Sequence, residues 1–326
     1  MRQRCFSRAF IVLCSAMVLT ACATIAQWAA PKKELDKGPV SELMSAEKDF
    51  WETFHAGKYN EIPRLIRLYD GLYYKHPGHN VIAARIGFLH VWRLSERYRF
   101  GEIRAEIIED ATLCRKFFEE AYKLNPDEAR YMGFYAACIM AEADLHRNEA
   151  DLRKGYFLMK DAISAWPEFN LFTGGYVMSH LPWDGSLFDE ALEWQWRTLD
   201  TCTDGKFDRK NPDYKSLMGM DTKEGQKRVC WNSEIAPHNF EGFFLNMGDM
   251  LVKKGDVAMA VKIYEQAKAS KQYASWPYKN VLEERIKNAA KNTASFRIKV
   301  PGDEMPKTPQ MMFNSEYNCM ACHRST

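Results

Sequence analysis

The sequence has almost no excess of charge: 45 lysines and arginines face 43 aspartates and glutamates, a formal net charge of +2 at pH 7. So even a balance leaves no electrostatic footprint for nucleic acid. It also lacks an apolar run long enough to cross a bilayer comfortably, since the stretch from Ala9 to Leu19 is too short. Alternation of polar and apolar residues, the mark of a half-buried strand, is almost missing. There is no phosphate-cradling G-x-x-x-x-G-K-[ST], no dinucleotide G-x-G-x-x-G, no H-E-x-x-H and no nucleophile elbow. These absences remove several large enzyme classes. What remains is an ordinary globular balance, 46% hydrophobic and 27% charged over 326 residues. That excludes wholesale disorder, collagen and a polytopic membrane protein, and leaves room for one large domain or two ordinary ones.

Nine cysteines are present, and they fall into groups with different chemistry. At the N-terminus Arg2, Arg4 and Arg8 precede the apolar stretch, the layout of a secretory signal. It ends in Leu19-Thr20-Ala21-Cys22, which resembles the lipobox of bacterial lipoproteins. The resemblance implies that residues 1–21 are removed and that Cys22 is acylated, anchoring the chain to a lipid bilayer. Cleavage there removes three arginines and no acid, so the small positive charge belongs to the targeting signal. Ala23, in place of aspartate, resembles the sorting pattern of outer-membrane lipoproteins. Residues 22–45 mix alanine, proline, glycine and charges and read as a tether.

The other end reads Asn318-Cys319-Met320-Ala321-Cys322-His323. C-x-x-C-H is the attachment sequence of c-type cytochromes. Its spacing is chemical: two thiols reach the two vinyl groups on one edge of a porphyrin, and the adjacent imidazole falls under the iron. The resemblance implies that Cys319 and Cys322 form the thioethers of one covalent haem c and that His323 is the proximal ligand. A thioredoxin-like pair calls for a βαβ setting, which does not surround this segment. Zinc calls for a fourth ligand that the local sequence does not offer. Only Arg324, Ser325 and Thr326 follow His323, so the tail alone cannot cover a porphyrin; the body or a partner must supply a wall. The sixth-ligand candidates are Met311 and Met312 in the tail and His180 and His238 beside prolines in the body.

Four cysteines remain. Cys202 and Cys230 bracket a polar segment without amphipathic period, a reasonable place for a disulfide in an oxidising compartment. Cys114 lies on the helix face Ile107, Ala111, Cys114, Phe118, Ala121 and reads as a buried apolar residue, with Cys138 likewise.

Between the ends, helical spacing dominates, giving an all-α fold class. In FFLNMGDMLVKKGDVAMAVKIYEQAKA, the residues Phe244, Met247, Gly248, Leu251, Gly255, Ala260, Tyr264 and Ala267 follow the large-and-small spacing of tetratricopeptide repeats. Residues 114–126 and 155–167 resemble the second helix of that repeat, each closed by a proline. Pro126 and Pro167 are 41 residues apart, longer than the repeat's own length, a difference assigned to a polar insert around HRNEADLR. The resemblance implies a tetratricopeptide-like α-solenoid over residues 46–292, followed by an extended tail, residues 293–326, that carries the haem motif. Arrays of this kind are mostly binding surfaces, so the body implies a partner protein. The expected function is electron transfer in the bacterial cell envelope between the haem and a redox partner docked on the body. The alternative is a scaffold lipoprotein in which haem is structural or sensory; peroxidase-like catalysis is a minor third reading.

Overall fold

In the structure, a computed structural model, residues 29, 32–36, 38–220, 222, 224–231, 241–300 and 304–324 are described. The chain divides into two units, Met1–Glu34 and Leu35–Thr326. Of the first, only residues 29 and 32–34 are described, all exposed. The expected signal segment and Cys22 therefore lie outside the described residues.

The second unit is all-α, with no strand among the described residues. Its helices are α1 Ser41–His55, α2 Ile62–Lys75, α3 Asn80–Ser95, α4 Glu106–Leu124, α5 Ala129–His146, α6 Glu149–Ala165 and α7 Pro167–Val177. They continue as α8 Ser186–Cys202, α9 Arg228–Trp231, α10 Glu241–Lys254, α11 Val257–Gln266, α12 Lys279–Phe296 and α13 Met320–His323. The breaks follow local chemistry. Pro167 opens α7, where a missing N–H costs nothing and the fixed φ suits a helix. Asn148 caps α6 by accepting from the Asp151 N–H, and Asp256 caps α11 by accepting from the Met259 N–H. Gly255, between α10 and α11, has φ +103°, a region cheap only without a Cβ.

Most of the longer helices pack chiefly on a neighbour in the chain, α3 on α4, α4 on α5, α5 on α6, α7 on α8 and α10 on α11, whereas α12 returns to α10. Two main cores result. One is built by α1 to α5 around Phe50, Phe54, Trp92 and Phe118; the other runs from α5 to α12 around Trp194, Phe243, Met247 and Tyr264. Phe134 of α5 packs against both.

Several expectations are corrected. The polar run HRNEADLR is not an insert. His146 ends α5, Arg147 turns the chain with φ 52°, and Glu149 already starts α6. The 41-residue spacing instead reflects two long helices, 18 residues in α5 and 17 in α6. The helical body is also wider than 46–292, because α1 starts at Ser41 and α12 runs on to Phe296. The tail is not wholly extended: Met312–Asn314 form a 3-10 turn and Met320–His323 a helical one. Cys114 and Cys138 are buried, but not as separate thiols; they are bonded to each other, joining α4 to α5. Cys202 and Cys230 form the second disulfide, closing the polar excursion after α8.

Candidate functional site

The C-x-x-C-H motif lies on α13, one helical turn. The His323 N–H donates to the Cys319 carbonyl at 3.0 Å and the Arg324 N–H to the Met320 carbonyl at 3.1 Å. Residues three and four apart on a helix share a face. Cys319, Cys322 and His323 therefore point one way and Met320 and Ala321 the other, and burial follows that division. Met320 and Ala321 are each 1% exposed, whereas the two cysteines and His323 are half-buried and line a cavity.

So short a helix is held by the body, not by its own ladder. The Met320 N–H donates to the Glu96 carboxylate at 3.1 Å, from the turn after α3. Trp276, in the link between α11 and α12, donates its indole N–H to the Ala321 carbonyl at 2.9 Å. Gly242 at the start of α10 makes room for the turn, since a Cβ there would stand 2.7 Å from the Ala321 carbonyl and overlap the Cys322 sulfur. The His323 ring rests against Phe54 of α1, with centroids 4.9 Å apart, and edge-on to Phe88 of α3 at 6.4 Å.

The cavity faced by the motif has a volume of about 530 Å³. That is within the size range of small-molecule and cofactor sites. Its walls are mostly apolar and carry aromatic rings from both cores: Trp51, Phe88 and Phe134 on one side, Phe169 and Phe172 on another. Basic groups at the walls include Arg85, held bidentate by Glu47, and Lys253, whose ammonium donates to the Ser179 carbonyl at 2.9 Å. Burial pushes the Lys253 ammonium down to about 8.

Electrostatics at the motif follow from burial. It pushes the Cys322 thiol up to about 12, with the Glu241 charge adding to the effect, and the Cys319 thiol up as well, with Glu96 adding there. Both thiols are free and protonated at neutral pH. Glu96 is itself buried, which raises its pKa against the opposing pull of Arg99, 2.6 Å away. Disulfide exchange needs a thiolate, so this environment does not suit a thioredoxin-like pair.

The sixth-ligand candidates separate. His180 and Met311 line the cavity; Met312 does not. The Met312 N–H donates instead to buried Asp249 at 2.6 Å, where Tyr264 also donates and Arg285 makes an ion pair at 3.2 Å. His238 lies outside the described residues. Among the described residues, no three His, Cys, Asp or Glu side chains converge to hold a bare metal ion. A haem brings four nitrogens of its own and asks the chain only for axial donors. Two thiols and an imidazole on one face, turned into an aromatic cavity and cradled by a glycine, fit such a group.

Sequence reasoning missed Glu96, Gly242, Asp249 and Trp276, whose partners lie far along the chain. It also missed the aromatic walls, which read as ordinary core. No protein-family model matches the chain, and no curated protein or solved structure matches it.

Proposed function

We propose that this chain is a monohaem c-type cytochrome lipoprotein that carries single electrons in the bacterial cell envelope, with a tetratricopeptide-like helical body docking the partner protein. One observation carries the reading: Cys319, Cys322 and His323 share one face of a helical turn, and that face looks into an apolar cavity of about 530 Å³. A haem held there supplies an iron that gains and loses one electron without a bond change in a substrate. The chain's own part is to bind, orient and exclude water. Phe54 and Phe88 pack against the His323 ring, and the apolar walls offer a surface for a porphyrin face. Aromatic cover comes from α1, α3, α5 and α7 and from Phe313 of the tail.

Support for a solenoid-like body is the packing of successive helices on one another and the close approach of Gly248 in α10 to the Tyr264 ring of α11. Support for the lipid anchor is the lipobox at Cys22, and for the outer membrane, Ala23. A second reading, a scaffold in which haem is structural or sensory, is favoured by α13 itself, which packs against both α1 and α10 and so joins distant parts of the body. If that reading holds, replacing His323 leaves partner capture intact while removing the redox signal.

The test is production of the full chain in a host with the cytochrome c maturation machinery. The expected result is a pyridine haemochrome spectrum of the c type and an intact mass carrying one haem. Absence of a haem adduct, with Cys319 and Cys322 free or bonded to each other, overturns the proposal.

A further inference from the structure

We propose that His180 is the second axial ligand of the haem iron, making the centre bis-histidine; the assignment rests on the cytochrome reading above. Among the described histidines, only His180 and His323 line the cavity, and Met311 is the one described methionine that does. The two imidazoles sit on different walls. His323 rests on Phe54 and Phe88 of α1 and α3, whereas His180 follows α7 and stacks on Phe313 of the tail, centroids 5.4 Å apart and planes 16° from parallel.

The His180 ring is fixed in a ligating tautomer. Its Nδ1 lies 2.7 Å from the Val177 carbonyl oxygen, which can only accept, so Nδ1 carries the proton and Nε2 the lone pair. A backbone carbonyl on the remote ring nitrogen is the arrangement that orients metal-bound histidines. Nε2 has no hydrogen-bond partner among the described residues. The Nε2 lone pair is thus left free on a side chain that lines the cavity, in the form in which an imidazole ligates a metal. The Met311 thioether is the weaker donor and is at ease among apolar neighbours with or without a metal.

The wall beneath His180 is coupled to the attachment site. Asn318, next to Cys319, donates its amide to the Phe313 carbonyl and accepts from the Tyr176 hydroxyl. That pair of bonds ties the stacking partner of His180 to the start of α13.

The experiment is optical, electron paramagnetic resonance and near-infrared magnetic circular dichroism spectroscopy of the haem-loaded full chain, with His180→Ala, His180→Met and Met311→Leu variants. Wild-type protein is expected to be low-spin in both oxidation states and to lack the sulfur-to-iron charge-transfer band. His180→Ala should turn the ferric centre high-spin, and added imidazole should restore the low-spin spectrum. His180→Met should bring in the sulfur band and raise the midpoint potential, and Met311→Leu should change neither. A sulfur band in the wild type, a high-spin wild type, or a low-spin His180→Ala protein overturns the assignment. The wild-type spectra decide nitrogen against sulfur without any variant, and His180→Met, which keeps a side chain of similar bulk, decides which nitrogen where His180→Ala fails to fold: a His180→Met protein with unchanged spectra overturns the assignment. A wild type without covalent haem brings down the cytochrome reading and this assignment together; covalent haem with a different sixth ligand brings down only the assignment.

Discussion

Gly242→Ala tests whether α13 is seated on α10 as the structure has it. The added Cβ would stand 2.7 Å from the Ala321 carbonyl oxygen and inside contact distance of the Cys322 sulfur. Ordinary contact begins nearer 3.4 Å. Either the turn stays and the strain is absorbed, costing about 1 to 3 kcal/mol by analogy with overpacked cores, or it lifts away. Lifting breaks the Trp276 to Ala321 and Met320 to Glu96 hydrogen bonds, which together are worth about 1 to 3 kcal/mol. Alanine's better helix propensity offsets at most about 1 kcal/mol, and less in a first turn. The control is Gly71→Ala in the middle of α2, where a Cβ meets nothing within 4 Å and the helical gain of about 0.5 to 1 kcal/mol is unopposed. Urea denaturation of the two variants and wild type, with disulfides intact and equal m-values, compares them directly. Gly71→Ala should rise above wild type and Gly242→Ala fall level with it or below, with a smaller fraction of chains carrying covalent haem. If Gly242→Ala stabilises as much as Gly71→Ala, the turn does not sit against α10 and the geometry of the site is wrong.

Two further predictions concern the acids that hold the body together. Asp249→Ala leaves the buried Arg285 guanidinium without its carboxylate and the Met312 N–H and Tyr264 hydroxyl without an acceptor; it should cost about 3 to 5 kcal/mol in denaturant midpoint measurements. Asp249→Asn, which keeps an acceptor, should cost less, and faster proteolysis within residues 304–318 should accompany the larger loss. Asp49 of α1 takes two hydrogen bonds from Arg64 of α2, at 2.6 and 2.9 Å, and that pairing holds its carboxyl below the ordinary value of 3.8. The folded chain thus binds the proton less readily than the unfolded one. The pair's stabilisation is present above the ordinary value and is lost as pH falls through the lowered one. A urea series across that acid range should show a shallower loss of stability for Asp49→Asn than for wild type; an unchanged slope refutes the pairing.

The helical body and the C-terminal motif were legible because both depend on local spacing. A period near 3.6 marks a helix wherever it occurs, and two thiols with an adjacent imidazole carry their chemistry in five letters. The unread parts depend on distance along the chain. Glu96 and Met320 are 224 residues apart and Asp249 and Met312 are 63 apart, so nothing near either acid separates it from a solvated one. Cys114 and Cys138 each sat on a convincing apolar face, and only the packing of α4 on α5 brings their sulfurs together. Residues 146–153 looked like an insertion because a two-residue turn and the solvent-facing start of α6 are both polar. The tail candidates Met311 and Met312 are adjacent in sequence, yet one reaches the cavity and the other is drawn to Asp249.

The packing makes the motif part of the body and not an appendage to it. Met320 belongs to the core built by α1 to α5, while its neighbour Ala321 belongs to the core running from α5 to α12. One peptide bond thus spans both cores, and the cavity has walls from each. An isolated helix of four residues has no stability of its own, because nucleation fixes several dihedrals for a single hydrogen bond. The alignment of Cys319, Cys322 and His323 is therefore imposed by Glu96, Gly242, Trp276 and Phe54, none of which lies within 40 residues of the motif. It follows that the chemistry of the motif is set by the body. Substitutions far from it in sequence should move the two sulfurs and the imidazole as a unit, whereas the same C-x-x-C-H in a free tail has nothing to aim it.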